Sequence, residues 1–217
     1  YDINNLIDFQ LEGYIKDFSQ LTNINRNMIS NNDETFIIET GLAKGIDALL
    51  KYNTAKLYVW LVYSIGHVTR DDGVREYSPH FDRRHNINFV TSYKFGKSLD
   101  WKFDCRWNLG SGFPFTQTQG FFENITFSEG INTDYTSTNG ELGIEYAELN
   151  NGRLPYYHRL DLSLAKTIKI NKNSTLNITA SITNAYNREN IFYFNRVKYE
   201  RVNQLPLMPS LGMSLTF

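Results

Sequence analysis

The sequence predicts an all-β fold, an antiparallel transmembrane β-barrel. Three observations carry that expectation: apolar and polar residues alternate along run after run, the connections between runs are alternately short and long, and aromatics gather where runs end. Period-two alternation marks a sheet with one apolar and one polar face. Runs of about 9 to 11 residues suit tilted membrane strands.

Eight runs follow in order. Residues 9–17 put Gln10, Glu12 and Lys16 on one face. In residues 36–52, Glu39, Asp47 and Lys51 oppose Leu42, Ile46, Ala48 and Leu50. Residues 57–65 alternate less clearly, because Tyr58, Trp60 and Val62 make the second face apolar too. Residues 87–95 set Ile87, Phe89, Thr91, Tyr93 and Phe95 against Asn88, Val90, Ser92 and Lys94. The clearest run, residues 101–109, alternates Trp101, Phe103, Cys105, Trp107 and Leu109 with Lys102, Asp104, Arg106 and Asn108. Residues 159–170 oppose Leu160, Leu162, Leu164, Ile168 and Ile170 to Arg159, Asp161, Ser163, Thr167 and Lys169. Leu176, Ile178, Ala180 and Ile182 alternate with Asn177, Thr179, Ser181 and Thr183. In residues 207–217, Leu211, Met213, Leu215 and Phe217 oppose Ser210, Gly212, Ser214 and Thr216.

The joins decide between a soluble sandwich and a membrane barrel. Residues 53–56, 96–98 and 171–174 are short turns, whereas residues 19–35, 69–82, 114–155 and 187–206 are long. In a meander, successive turns fall at opposite ends, so one rim collects the short joins and the other the long ones. Transmembrane barrels show that asymmetry, and their interfacial girdles explain aromatics such as Trp101, Phe113, Phe115, Tyr156 and Tyr157 near strand ends.

Composition agrees and narrows the function classes. The chain has 217 residues, 15% of them aromatic, with 22 Lys+Arg against 23 Asp+Glu and a formal net charge of -1. That balance removes the electrostatic case for nucleic-acid binding. The 24 asparagines suit turns and loops rather than helix interiors. Cys105 is the single cysteine, which excludes an internal disulfide framework and a thiolate zinc site. Mean hydropathy is -0.42, and the longest nearly apolar run, residues 57–65, is far below the ~20 residues of a membrane helix. The chain opens on Tyr1 without a basic segment and apolar stretch, as expected of a piece internal to a longer or processed protein.

Candidate chemistry is sparse. His80, Asp82, Arg83, Arg84 and His85 form a cluster in which Asp82 beside His85 supplies an acid–base pair in principle, while rim salt bridges are the plainer expectation. The histidines lack metal-ligand spacing, and no phosphate-cradling glycine loop or nucleophile elbow occurs. The polar faces, among them Lys102, Asp104, Arg106, Arg159 and Asp161, are expected to line a lumen. In the long connection, Phe113, Phe115, Phe121, Phe122 and Tyr135 stand among amides and acids, a mixture suited to sugars or planar chelates and equally to folding the loop on itself. Its acidic residues outnumber its one cation, Arg153, which weakly disfavours an anionic ferric siderophore.

Six stretches, GLAKGIDALLKY, FDRRHNINFVTSYKF, NLGSGFPFTQ, RLPYYHRLDLSLAK, TNAYNRENIFYFN and LPLMPSLGMSLTF, resemble in order the C-terminal barrel portion of TonB-dependent outer-membrane receptors of the Bacteroidetes type. The resemblance implies that residues 1–217 form roughly the last third of a 22-stranded barrel, with the plug domain, the TonB-contacting segment and the signal peptide outside this chain. It implies a non-catalytic nutrient importer of the bacterial outer membrane, for a siderophore, vitamin, glycan or peptide, with no cofactor. The implied partners are the plug and remaining strands of the same receptor, the TonB complex through the plug, a surface lipoprotein lid, outer-membrane lipid and the barrel-assembly machinery, which would read Phe217, Leu215 and Met213. Two other readings stay open from the residues: a self-contained eight-stranded barrel with a rim hydrolase or adhesin role, and a soluble sugar-binding sandwich. Pairing of the first run with the last would mark the self-contained barrel.

Overall fold

The computed structural model describes residues 2–4, 6–25, 34–124 and 141–217. Strands run β1 Asp2–Asn4, β2 Ile7–Ile24, β3 Phe36–Asn53, β4 Leu57–Asp71, β5 Glu76–Tyr77, β6 His85–Phe95, β7 Trp101–Gly110 and β8 Pro114–Phe115. They continue as β9 Thr118–Asn124, β10 Glu141–Tyr146, β11 Gly152–Arg153, β12 Tyr157–Lys169, β13 Thr175–Thr183, β14 Ile191–Asn195, β15 Glu200–Asn203 and β16 Met208–Thr216. The main sheet has the order β1-β2-β3-β4-β6-β7-β12-β13-β16, with β5 beside β4, and every pair in it is antiparallel. The eight runs of the alternation are β2, β3, β4, β6, β7, β12, β13 and β16, in chain order.

Register turns the alternation into two faces. Leu57, Tyr93, Phe103, Leu164, Ala180 and Leu211 lie opposite one another across six strands. One residue along, Tyr58, Ser92, Asp104, Ser163, Ser181 and Ser210 make the neighbouring row. The apolar row stays open: Phe103 is 36% exposed, Leu164 39% and Leu211 75%. Among the described residues Tyr77 is the one buried hydrophobic side chain. Such a sheet has no packed interior, and its stabilising apolar contacts have to come from outside the chain. The ten residues of β7, at ~3.4 Å rise and ~40° tilt, cover roughly 25 Å, the height of a lipid-facing band.

Aromatics mark both borders of that band. At the short-turn end Phe95 stacks between Tyr93 and Trp101, with centroids at 5.9 and 6.0 Å, and Lys166 lies 4.7 Å over the Trp101 ring while pairing with Asp100. At the long-loop end Tyr63 stacks on His85, and His158 Nδ1 lies 2.7 Å from the Tyr186 hydroxyl.

Two features differ from the sequence expectation. The strand β2 is twice as long as expected, 18 residues, so the connection read at residues 19–35 is ladder as far as Ile24, whereas β3 keeps the expected bounds to within a residue; a bulge between Phe18 and Leu21 shifts the phase in β2 and hides the continuation. The long connections carry hairpins of their own, β8 with β11, β9 with β10, and β14 with β15. In the main sheet β2 (with the short β1 beside it) and β16 are opposite margins and do not pair with each other, the pairing that would mark the self-contained alternative.

Candidate functional site

The long-loop rim is where charge is buried and where loops meet. Glu39, 1% exposed at the top of β3, accepts hydrogen bonds from Asn23 Nδ2 and the Tyr77 hydroxyl, both at 2.9 Å, and from Arg70 Nη1 at 3.4 Å. Asp82, completely buried, accepts from the Val68 N–H at 3.0 Å, from Arg84 Nε at 3.0 Å and from Arg153 Nη2. Burial alone would raise the Asp82 carboxyl, but the bonds from Arg153, Val68 and Arg84 outweigh it and hold the group below its ordinary range. Arg153 also donates to the carbonyls of Asp82 and Gly112. Asp82 thereby ties β4, the entry to β6 and the base of the long connection together. The acid–base pair weighed from sequence is not formed: the Asp82 oxygens are held by these donors, while His85 Nδ1 lies 3.0 Å from the Tyr63 hydroxyl.

Beside this hub lies a cavity of about 270 Å³, lined among others by Arg83, Phe113, Tyr157, Arg188, Glu189 and Arg201. Gly110 and Tyr157 are register partners on the polar face of the sheet, and Arg83, which a Cβ on Gly110 would meet, lies on that same face. A Cβ on Gly110 would come within 2.4 Å of the Arg83 guanidinium, and one on Gly112 within 1.5 Å of the Leu154 carbonyl oxygen. These two glycines therefore let Arg83 and the returning chain close the cavity wall. The Arg83 guanidinium sits 4.1 Å over the Phe113 ring, and burial pulls it below its usual range. Arg188 Nη2 donates to the Tyr156 carbonyl at 2.8 Å, and Arg201 pairs with Glu189. The Nε atoms of both Arg83 and Arg188 are buried without a hydrogen-bond partner.

The asparagines of TNAYNREN build the floor of this rim. Asn190 accepts from the His158 N–H at 3.1 Å and donates to the His158 carbonyl at 2.9 Å, taking the place of a paired strand along β12. Asn184, completely buried with φ 54, accepts from the Arg188 N–H and donates to the carbonyls of Arg188 and Leu205. Sequence reading valued asparagine for turns and missed Asn184, Asn190 and Arg188; the dense Asn–Arg spacing was the available signal.

The expected loop residues divide. Phe113 lines the cavity. Phe115 contacts Phe194 at 5.6 Å and Phe121 contacts Tyr199 at 5.5 Å, so both join the long connection to the β14–β15 hairpin. Phe122 stays 53% exposed, and Tyr135 lies outside the described residues. On the polar face three of the expected charges find partners along their own strand, Lys102 with Asp104 at 2.9 Å, Arg159 with Asp161 at 2.9 Å, and Arg106 with Asn108 at 3.1 Å, while Lys51 pairs across strands with Asp8 at 3.7 Å. Asp161 also accepts the Asn184 N–H at 2.9 Å. Leu215 and Met213 face outward on β16, 52% and 72% exposed, and Phe217 behind them is 91% exposed.

No protein-family model matches the chain, and no curated protein matches it either. The fold is similar to that of the ferripyoverdine receptor of the outer membrane of Pseudomonas aeruginosa, in its crystal structure bound to ferripyoverdine, with a TM-score of 0.62 at 12% identity. A second similar structure, the FpvAI-pyocin S2 complex, gives 0.59 at 12% identity. Each match covers 99% of this chain and 25% of that one, so the chain spans about a quarter of their length. The fold is thus all-β and antiparallel, that of a stretch of an outer-membrane receptor barrel.

Proposed function

We propose that this chain is the C-terminal part of the β-barrel of a TonB-dependent nutrient uptake receptor of the bacterial outer membrane, of the Bacteroidetes type. The observation that carries the reading is the open two-faced sheet: an apolar row toward lipid, a polar row toward a lumen, and margins β2 and β16 that each offer an unpaired ladder to further strands. Strands can remain in a bilayer only when every backbone group is paired, which calls for a closed barrel larger than these strands. Lys102, Asp104, Arg106, Arg159 and Asp161 belong to the lumen wall against which a plug rests, and a TonB complex acts through that plug. The hairpins at the long-loop rim capture substrate, alone or beneath a lipoprotein lid. The outward row Met213, Leu215 and Phe217 presents the barrel-assembly signal. The role is passage, without bond chemistry or cofactor. The self-contained eight-stranded alternative needs β2 to pair with β16, and these strands lie at opposite margins.

Uptake of a labelled nutrient by cells carrying the intact gene tests the proposal. Import should stop when the gene is deleted, and also when the proton gradient is collapsed. Import that survives collapse of the gradient would reduce the barrel to a passive pore.

A further inference from the structure

We propose that the cavity between Arg83, Phe113, Tyr157 and Arg188 binds a carboxylate-bearing solute of about amino-acid or hexuronate size. The inference rests on the uptake reading only in taking the long-loop rim as the side from which solute arrives. Among the described residues neither Arg83 nor Arg188 forms an ion pair, although each holds a buried Nε–H without an acceptor. The two guanidiniums line the cavity with positive charge that no carboxylate among the described residues answers, and an ionised oxygen acid is the acceptor that offsets such charge best. Asp82, the nearest candidate counter-ion in sequence, is already held by Arg84 and Arg153. Arg201 is neutralised by Glu189, which leaves two uncompensated cations at the wall.

Size and charge narrow the ligand. A volume of about 270 Å³ falls just below the ~300–1,000 Å³ of drug-sized sites, so it admits one small unit rather than a whole chelate. With Arg201 and Glu189 paired to each other, the wall offers two arginines beside two aromatic rings, a set that suits an organic carboxylate, whose carbon skeleton meets the rings, better than inorganic phosphate. The rings of Phe113 and Tyr157, at 4.1 and 5.8 Å from the Arg83 guanidinium, hold it in place and offer apolar faces to the carbon skeleton of the solute.

The full-length protein containing this chain, purified in detergent, should be titrated calorimetrically with sodium glucuronate and N-acetylglycinate, and in parallel with glucose and inorganic phosphate. A carboxylate should bind with a dissociation constant on the order of 1 mM, and glucose should not bind. Arg83→Gln and Arg188→Gln should each weaken binding by about tenfold or more, Arg83→Lys by less, and Lys172→Gln in a short turn should change nothing. Retained heat-modifiable gel mobility certifies that each variant is folded. Equal binding of glucose and glucuronate, tighter binding of phosphate, or indifference to both Gln variants overturns the proposal. So does an absence of binding accompanied by a lowered melting temperature in Arg83→Gln, which would assign the arginines to a carboxylate elsewhere in the same protein. Carboxylate binding without gradient-dependent uptake keeps the pocket and sinks the receptor reading; the reverse result sinks the pocket alone.

Discussion

Asp82 is the residue on which the rim turns, and its chemistry makes two predictions. Asp82→Asn leaves Arg84 and Arg153 without their shared anion. Their side chains are 39% and 34% exposed, so water screens part of the loss. The expected destabilisation is about 2–3 kcal/mol, below the ~3–5 kcal/mol of a fully buried pair. Thermal unfolding in detergent, compared with wild type, measures it. The second prediction concerns acid. A carboxyl held below its ordinary value in the folded state contributes stability that is complete above the unfolded pKa of about 3.9 and is lost as pH falls through the folded value. Hydrogen exchange at residues 79–84 should therefore stay slow from neutral pH down to about 4 and quicken below it in the wild type. In Asp82→Asn it should be fast throughout, with no acid step.

At the scale of elements, Asn190 shows how a side chain completes a ladder. Asn190→Leu keeps the γ-branched outline, though it is bulkier, and removes both bonds to the His158 backbone. A cost of roughly 1–3 kcal/mol and faster exchange at the start of β12, with the short-turn half of that strand unaffected, is the expected result. The strands themselves were legible because their alternation is a direct imprint of a two-solvent environment, and Trp101 to Leu109 reads without a break. The upper part of β2 was not legible, since the bulge at Phe18 to Leu21 reverses the phase that sequence reading follows, whereas β3 was read to within a residue of its ends. The cavity was legible in part: Phe113 was singled out by composition, whereas Arg188 comes from the turn after β13, 75 positions away, and meets it only through the fold.

The described main sheet sets an apolar row against a polar one, and in the proposed membrane barrel adjacent positions should answer oppositely to the same change. Leu162 lies in the outward row with Cys105, and Ser163 in the inward row with Asp104. Leu162→Arg should cost about 2–4 kcal/mol in refolding into bilayers, as a cation does at mid-membrane. Ser163→Arg, facing Asp104, should cost under about 1 kcal/mol. Closure can be checked in the same protein: cysteines placed at Leu11 and Leu211, on the two margins, should fail to cross-link, because β2 and β16 do not neighbour each other. An efficient cross-link would restore the small closed barrel.

A sheet in which Tyr77 is the one buried hydrophobic side chain among the described residues is under an unusual kind of selection. Lipid tails are fluid and conform to whatever surface they meet, so a lipid-facing position has to be apolar without having to match a neighbour's volume. Exchanges such as Leu to Phe, which overpack a soluble interior, leave such a wall intact. Drift can then run almost unchecked within each polarity class while backbone pairing holds the shape. A fold similar to a receptor barrel over 99% of the chain at 12% identity suits a sheet whose letters are free and whose pattern is not.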